Sequence, residues 1–155
     1  MECQSTIDGG ADIIIGTHAH ILKGIEVYKG KVIWYNFANF DLDSNFRVWP
    51  SLTLGQRELV ETYNLVIDPV WVKTYPYPPP SRKTMAVKCI LSDKTIKSVS
   101  FLPAVINIDA RSRFLSREDE GVNDVVQYVA EITEKAGLNA QYNVEGDEVF
   151  ISALN

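Results

Sequence analysis

The fold is predicted from one stretch of the sequence, Ala11-Asp12-Ile13-Ile14-Ile15-Gly16-Thr17-His18-Ala19-His20. Its three consecutive isoleucines predict a short strand that is buried on both faces, as in the interior of a parallel sheet. Gly16 then permits a sharp turn of the backbone. The only two histidines of the chain follow directly. Because residues i and i+2 of extended backbone point the same way, and strand ends open into a crevice, His18 and His20 are predicted to share one metal site.

Composition predicts one ordinary globular domain, residues 1–155. The hydrophobic fraction is 46% and the charged fraction 23%, which is typical of soluble proteins. A net charge of −5 and the lack of a basic stripe argue against nucleic acid as a partner. No apolar run is long enough to span a membrane, and no signal peptide is visible. Cys3 and Cys89 are too few for a disulfide framework, and Cys89 is predicted to be a buried strand residue.

The first half of the chain predicts the end of a helix before Gly9, then the isoleucine strand, then a hairpin. The hairpin strands are residues 26–28 and 32–35, joined by a loop that contains Gly30, with Glu26 as a surface or pairing residue. Residues 36–56 read as a loop over the histidines, with Asp41 and Asp43 on it, and residues 59–67 as a strand. Five of the seven prolines fall in residues 68–80, which predicts a surface excursion.

The second half predicts two further hairpins and one long helix. The hairpin strands are residues 83–91 with 95–102, ended by Pro103, and residues 141–144 with 148–151. The helix is predicted over residues 119–136, with a capping box formed by Ser116 and Asp119. Six aromatic residues are either a platform for a polymer or part of the core, and the core is favoured: Trp34, Tyr35, Trp49, Trp71, Tyr75 and Tyr77.

Residues 9–43, GGADIIIGTHAHILKGIEVYKGKVIWYNFANFDLD, resemble the C-terminal part of the CapA-type proteins of poly-gamma-glutamate capsule biosynthesis. The matching positions are Gly10, Ala11, Asp12, Gly16, His18, His20, Gly24, Glu26, Tyr28, Gly30, Lys31, Ile33, Tyr35, Asn39 and Phe40. The chain departs from the family's pattern at Ala38, where glycine is usual, and at Ala19, where proline is common. The resemblance implies an α/β fold with α+β character. That fold is part of a calcineurin-like metallophosphoesterase sandwich with a mixed sheet, hairpins and one long helix.

The resemblance also implies a role in the biosynthesis or export of the poly-gamma-glutamate capsule, together with a cofactor and a set of site residues. His18 and His20 would be metal ligands, and Asn39 would lie near the metal, where it either orients a ligand or caps a turn. Thr17 is not among the matching positions, but its hydroxyl and backbone N–H offer contacts to an anionic substrate. The cofactor would be a divalent metal, Mn, Fe, Zn or Mg. Family members draw their other ligands from an N-terminal half that this sequence does not contain, so we expect an incomplete metal site, or none, in this chain. An active chain would be a metal-dependent hydrolase, although the residues assign no catalytic group.

Other predictions follow from the same resemblance. The partner would be an anionic polymer or a phosphorylated small molecule. Family members are membrane-associated or act at the cell surface, so the N-terminal half is also expected to carry any anchor.

Two alternatives to an enzyme of this kind stay open. The first is a non-catalytic binding or assembly module that keeps the C-terminal sheet; its open edge would pair with another copy in a homo-oligomer. The second is an amidohydrolase-type barrel, whose first strand also ends in His-x-His. That barrel needs further metal ligands and about 250 residues, so it ranks last.

Overall fold

The computed structural model describes residues 2–41, 58, 70–71, 74–75 and 77–153. The elements in chain order are α1 (Glu2–Asp8), β1 (Ile14–Ile15), β2 (Ile25–Tyr28), β3 (Lys31–Trp34), a 3₁₀ helix (Pro79–Arg82), β4 (Lys83–Ser92), β5 (Thr95–Ile106), β6 (Ser112–Phe114), α2 (Gly121–Lys135), β7 (Ala140–Glu145) and β8 (Glu148–Ala153). They form a three-stranded sheet, β1-β3-β2, and a five-stranded sheet, β4-β5-β8-β7, with β6 on β5. The predicted α/β class, with a mixed sheet, hairpins and one long helix, is confirmed and is consistent with part of a sandwich.

The three-stranded sheet is mixed. Strand β1 runs parallel to β3, and β2 runs antiparallel to β3 in the predicted hairpin. The hairpin turn is made by Lys29 and Gly30, which have φ angles of 52° and 74°. Two successive positive φ values are what a two-residue hairpin turn needs to match the twist of its strands.

Gly16 is required by a close approach of two backbones. A Cβ atom on it would lie 2.3 Å from the carbonyl oxygen of Tyr35 and 2.8 Å from that of Trp34. The Gly16 N–H donates to the Trp34 carbonyl at 2.7 Å. Glycine is therefore needed here because no side chain fits against β3, and not because of the turn that the sequence suggested.

The prediction of a strand buried on both faces is wrong. Strand β1 has only two residues, and Ile15 is 46% exposed while Ile13 and Ile14 are half-buried. The reason is that, in the described ranges, β3 is the only strand paired with β1. One edge and much of one face of this strand therefore lack a covering element from the described residues.

The five-stranded sheet is built from the two predicted hairpins. Strands β4 and β5 pair over Lys83–Ser92 and Thr95–Ile106, and β7 pairs with β8. Pro103 does not end β5, contrary to the prediction. Its carbonyl accepts from the N–H of Leu115, so the backbone side of Pro103 that lacks an N–H faces β6. The hydrogen bonds between β4 and β5 are therefore not interrupted. Cys89 is half-buried, so the prediction of a buried thiol is also wrong.

Helix α2 begins at Gly121, two residues later than predicted. The Asp119 carboxylate accepts from the N–H of Ser116 at 2.8 Å and from its hydroxyl at 3.1 Å. These bonds close a turn before the helix, and they do not cap its first residues. The spacing of three and four residues predicts an apolar stripe of six side chains, of which Val122, Val125 and Val129 are buried. Val126 and Ile132 are half-buried, and Ala136 is exposed.

The two sheets are joined along the outer edge of β2. The Ile25 N–H donates to the hydroxyl of Thr133 at 3.2 Å. The side-chain amide of Asn139 pairs with both the N–H and the carbonyl of Val27, each at 2.9 Å. Side chains from α2 and the following turn thus replace a neighbouring strand at this edge.

Three further predictions have mixed outcomes. Glu26 is 8% exposed and not a surface residue; its carboxylate accepts from Gln4 Nε2 at 2.5 Å and from the Tyr35 hydroxyl at 2.7 Å. Tyr75 is fully buried, so the proline-rich segment contributes to the core and is not only a surface excursion.

The predicted strand at 59–67, Asp43 and Trp49 lie outside the described residues. In the part of the chain that the structure describes, no helix is both long and apolar enough to cross a membrane.

Candidate functional site

The candidate site lies at one edge of the three-stranded sheet. Because β1 and β3 are parallel, the segments that follow them leave the sheet at the same edge. The Lys23 N–H donates to the Asn36 carbonyl at 2.9 Å, and Leu22 and Phe37 form an isolated bridge. These contacts hold the histidine turn beside the loop that follows β3.

The two histidine rings lie together, as predicted. Their centroids are 6.0 Å apart and their planes are inclined by 43°. The backbone that carries them is not extended, however, since His18 has a φ of 92° and His20 a φ of 55°. Positive φ is uncommon for residues with a side chain and costs about 1–3 kcal/mol. Such strain tends to occur at functional sites, which supports a role for this turn.

The loop after β3 positions Asn39 against this turn. Buried Asn36 accepts at Oδ1 from the N–H of Ala38 at 2.9 Å, which closes a tight Asx-type turn. Ala38 takes a φ of 65° in this turn, at the position where the resembling family has glycine. Asn39 follows, and its Oδ1 lies 2.7 Å from Nδ1 of His20. The structure therefore brings together His18, His20 and Asn39.

Two tyrosines from the proline-rich segment complete the surroundings of His20. The Asn39 amide donates to the Tyr75 hydroxyl at 2.9 Å, and that hydroxyl donates to the Ser81 carbonyl at 2.9 Å. The ring of Tyr77 packs on His20 with centroids 5.0 Å apart and on Tyr75 at 4.9 Å. Burial raises the pKa of Tyr75 to about 12, against the opposing effect of the hydrogen bond with Asn39, so the hydroxyl is protonated at neutral pH.

Tyr75 was not predicted to belong to the site. It was one of six aromatic residues predicted either as part of the core or as a platform for a polymer.

Thr17 is exposed beside His18, and Asp41 is exposed after Phe40. Asp43, its predicted companion, falls among residues that are not described.

The donor set fits part of a metal site. Ring centroids 6.0 Å apart lie within the span that two metal–nitrogen bonds of about 2.0–2.1 Å can bridge. Over residues 2–41, 58, 70–71, 74–75 and 77–153, however, no group of three or more His, Cys, Asp or Glu side chains could hold a metal. Protein metal sites usually take three or four protein ligands, so these two imidazoles would need donors from elsewhere.

Residues 2–44 match the family described as bacterial capsule synthesis protein PGA_cap. The chain is 33% identical over 90 residues to the PGA biosynthesis protein CapA of Bacillus subtilis (strain 168). That match covers 57% of this chain and 24% of the relative. It is 34% identical over 67 residues to the capsule biosynthesis protein CapA of Bacillus anthracis, over 43% of this chain and 16% of the relative.

These matches span about a quarter, or less, of the relatives' own length. The segment matched by the family model contains β1, β2 and β3, and it ends before Tyr75 and Tyr77. The resemblance of this chain to the CapA-type proteins is therefore confirmed, and the family match includes His18, His20 and Asn39.

Proposed function

We propose that this chain is the C-terminal portion of a CapA-like protein with a metallophosphoesterase fold. Its role would be in the biosynthesis or export of an anionic capsule polymer, poly-gamma-glutamate. The observation that carries this proposal is the pairing of His18 and His20 at the end of β1, on strained backbone, within the segment that matches the capsule family.

In this proposal His18 and His20 would hold a divalent metal, Mn, Fe, Zn or Mg, as part of a larger ligand set. A bound metal would activate water and stabilise developing negative charge on a phosphate or carboxyl oxygen. The chain's own residues orient the donors, since Asn39 contacts His20 directly. Thr17 offers an exposed hydroxyl beside His18 for an anionic polymer or a phosphorylated small molecule.

Metal analysis and a phosphatase assay with added Mn²⁺ on the untagged chain test this proposal. We expect metal binding that weakens in His18→Ala and in His20→Ala, because two donors supply it. Metal-dependent turnover that His18→Ala abolishes would make the chain an enzyme. Metal binding that persists when both histidines are replaced would contradict the assigned site.

A second candidate function is a non-catalytic binding or assembly module. The exposed edge of β1 favours it, since Ile15 is 46% exposed and only β3, among the described strands, pairs with β1. An open strand edge is a template for pairing with another copy, so this candidate predicts a homo-oligomer. Size-exclusion chromatography with light scattering tests it, and a strict monomer would count against it.

We also propose that residues 1–155 fold as one domain. Support comes from the contacts of Thr133 and Asn139 with β2, which join the two sheets. Urea unfolding followed by tryptophan fluorescence and by far-ultraviolet circular dichroism should then give coincident transitions. Two separated transitions would contradict the single domain.

A further inference from the structure

The hydrogen bonds around His20 form a directional chain. It starts at the Ser81 carbonyl, which can only accept. The Tyr75 hydroxyl lies 2.9 Å from this carbonyl and therefore donates its single proton there. Its oxygen is then left to accept, and Nδ2 of Asn39 lies 2.9 Å from it.

The orientation of the Asn39 amide follows from this order. With Nδ2 on Tyr75, the carbonyl oxygen Oδ1 faces Nδ1 of His20 at 2.7 Å. In the flipped amide, Oδ1 would face the Tyr75 oxygen, whose proton is already committed to Ser81. Two acceptors would then oppose each other at 2.9 Å, which is unfavourable in a partly buried place.

The orientation of Asn39 in turn determines the tautomer of His20. An amide oxygen cannot donate, so the ring must carry its proton on Nδ1. Nε2 then keeps its lone pair, and it is the only ring atom that can bind a metal. A ligating histidine that donates its other N–H to an oxygen is oriented by that bond and made more basic.

We propose that Tyr75 is a positioning residue, which acts through Asn39 to hold neutral His20 as the Nδ1–H tautomer with Nε2 free for a divalent cation. The inference rests on the proposed function for the identity of the ligand, but the tautomer itself does not depend on it. Tyr75 lies 36 residues from Asn39 in the chain, in the proline-rich segment, so this segment also serves the site.

The test is a long-range ¹H–¹⁵N NMR correlation of histidine-labelled, untagged chain, recorded well above the usual histidine pKa of about 6.5. The chain has two histidines, so the spectrum contains two ring systems, which His18→Ala assigns. We expect the Nδ1–H signature for His20 in the unaltered protein. A predominant Nε2–H signature there would overturn the proposal, whatever the variants do.

Two tyrosine variants sharpen the test. In Tyr75→Phe the oxygen that accepts from Nδ2 of Asn39 is lost, so the amide can flip and we expect a mixture of tautomers or the Nε2–H form. Tyr77→Phe is the matched control. The Tyr77 ring contacts the rings of His20 and Tyr75, but its hydroxyl is not part of the chain of hydrogen bonds from Ser81 to His20. Folded Tyr75→Phe protein with an unchanged His20 signature would contradict the positioning role.

A Zn²⁺ titration of the same proteins separates this proposal from the proposed function. We expect Tyr75→Phe to weaken Zn²⁺ binding about tenfold, because the hydrogen bonds that orient a ligating histidine contribute to metal affinity. Tyr77→Phe should leave the Zn²⁺ affinity unchanged. If the tautomer shifts but no protein binds Zn²⁺, the positioning role stands and the metal site fails. Equal Zn²⁺ affinity in both variants would contradict the role of Tyr75 in binding.

Discussion

The two sheets of this chain differ in what their backbones tolerate. In the five-stranded sheet, long antiparallel strands meet at regular turns, and the positive φ values of Asp93, Lys94 and Gly146 fall in hairpin turns. In the three-stranded sheet the strands have two to four residues, and His18, His20 and Ala38 take positive φ around the site. Strained backbone tends to occur at functional sites, so we infer that the three-stranded sheet is shaped by its site, whereas the five-stranded sheet is a regular scaffold.

The five-stranded sheet and α2 support the three-stranded sheet through backbone hydrogen bonds and a shared core. Thr133 and Asn139 bond to the backbone of β2, and Trp34 packs in the same core as Phe101 and Val125. The cost of the strained residues must be offset by such contacts, because local strain persists only where the surroundings over-determine it.

The largest effect is expected for Gly16→Ala. A methyl group 2.3 Å from a carbonyl oxygen must push β1 away from β3, and we expect a loss of about 3 kcal/mol in the free energy of unfolding. Gly146→Ala is the control in the other sheet: it has φ 62° with open space around it, so it should cost about 1 kcal/mol. Urea unfolding measures both, and equal losses would contradict the close approach.

Asn139→Ala should have the next largest effect, because it cuts the connection between the sheets. The N–H and carbonyl of Val27 lose their partners together, for an expected cost of about 2 kcal/mol. Asn143→Ala is the control, since that exposed side chain bonds to Glu145, two residues away in the same strand. Amide hydrogen exchange should show faster exchange at Val27 in the first variant, and unchanged exchange there would contradict the bridging role.

His18→Gly should stabilise the chain while it removes a metal donor. Glycine adopts a φ of 92° freely, so we expect a gain of about 1 kcal/mol in the free energy of unfolding. His18→Ala removes the same imidazole but keeps the strain, so it should show no such gain. Thermal unfolding of both variants measures the difference, and no gain for glycine over alanine would mean that His18 is not strained.

The smallest effect is expected for Ala38→Gly. Relief of the left-handed conformation, worth about 1–2 kcal/mol, is partly cancelled by the greater flexibility of glycine in the unfolded chain. The net gain should be about 0.5 kcal/mol. Ala110→Gly, at φ 64° in the other sheet's loop, is the matched comparison and should behave alike. A loss at Ala38 only would show that its methyl group contributes packing to the site.

Local patterns predicted much of the fold. Alternation and turn residues located the hairpins, and the spacing of Val122, Val125 and Val129 located α2. The pairing of His18 with His20 was also predicted, because residues two apart stay close even when the backbone bends.

Contacts between distant residues were not predicted. Asn139 meets Val27 across 112 residues, and Tyr75 meets Asn39 across 36. No periodicity in the sequence carries such information. The burial of β1 was misjudged for a related reason, because an apolar run does not reveal which neighbouring strands are present to cover it.

His18 and His20 are proposed to act as a pair of donors for one cation. A Zn²⁺ titration of untagged, ¹⁵N-histidine-labelled chain, in which both imidazole signals are followed, measures this pairing. We expect the two signals to respond together with one midpoint, and His18→Ala and His20→Ala each to weaken the binding seen by the remaining ring. Signals that respond at different Zn²⁺ concentrations, or a remaining ring that binds as tightly after its partner is removed, would contradict it.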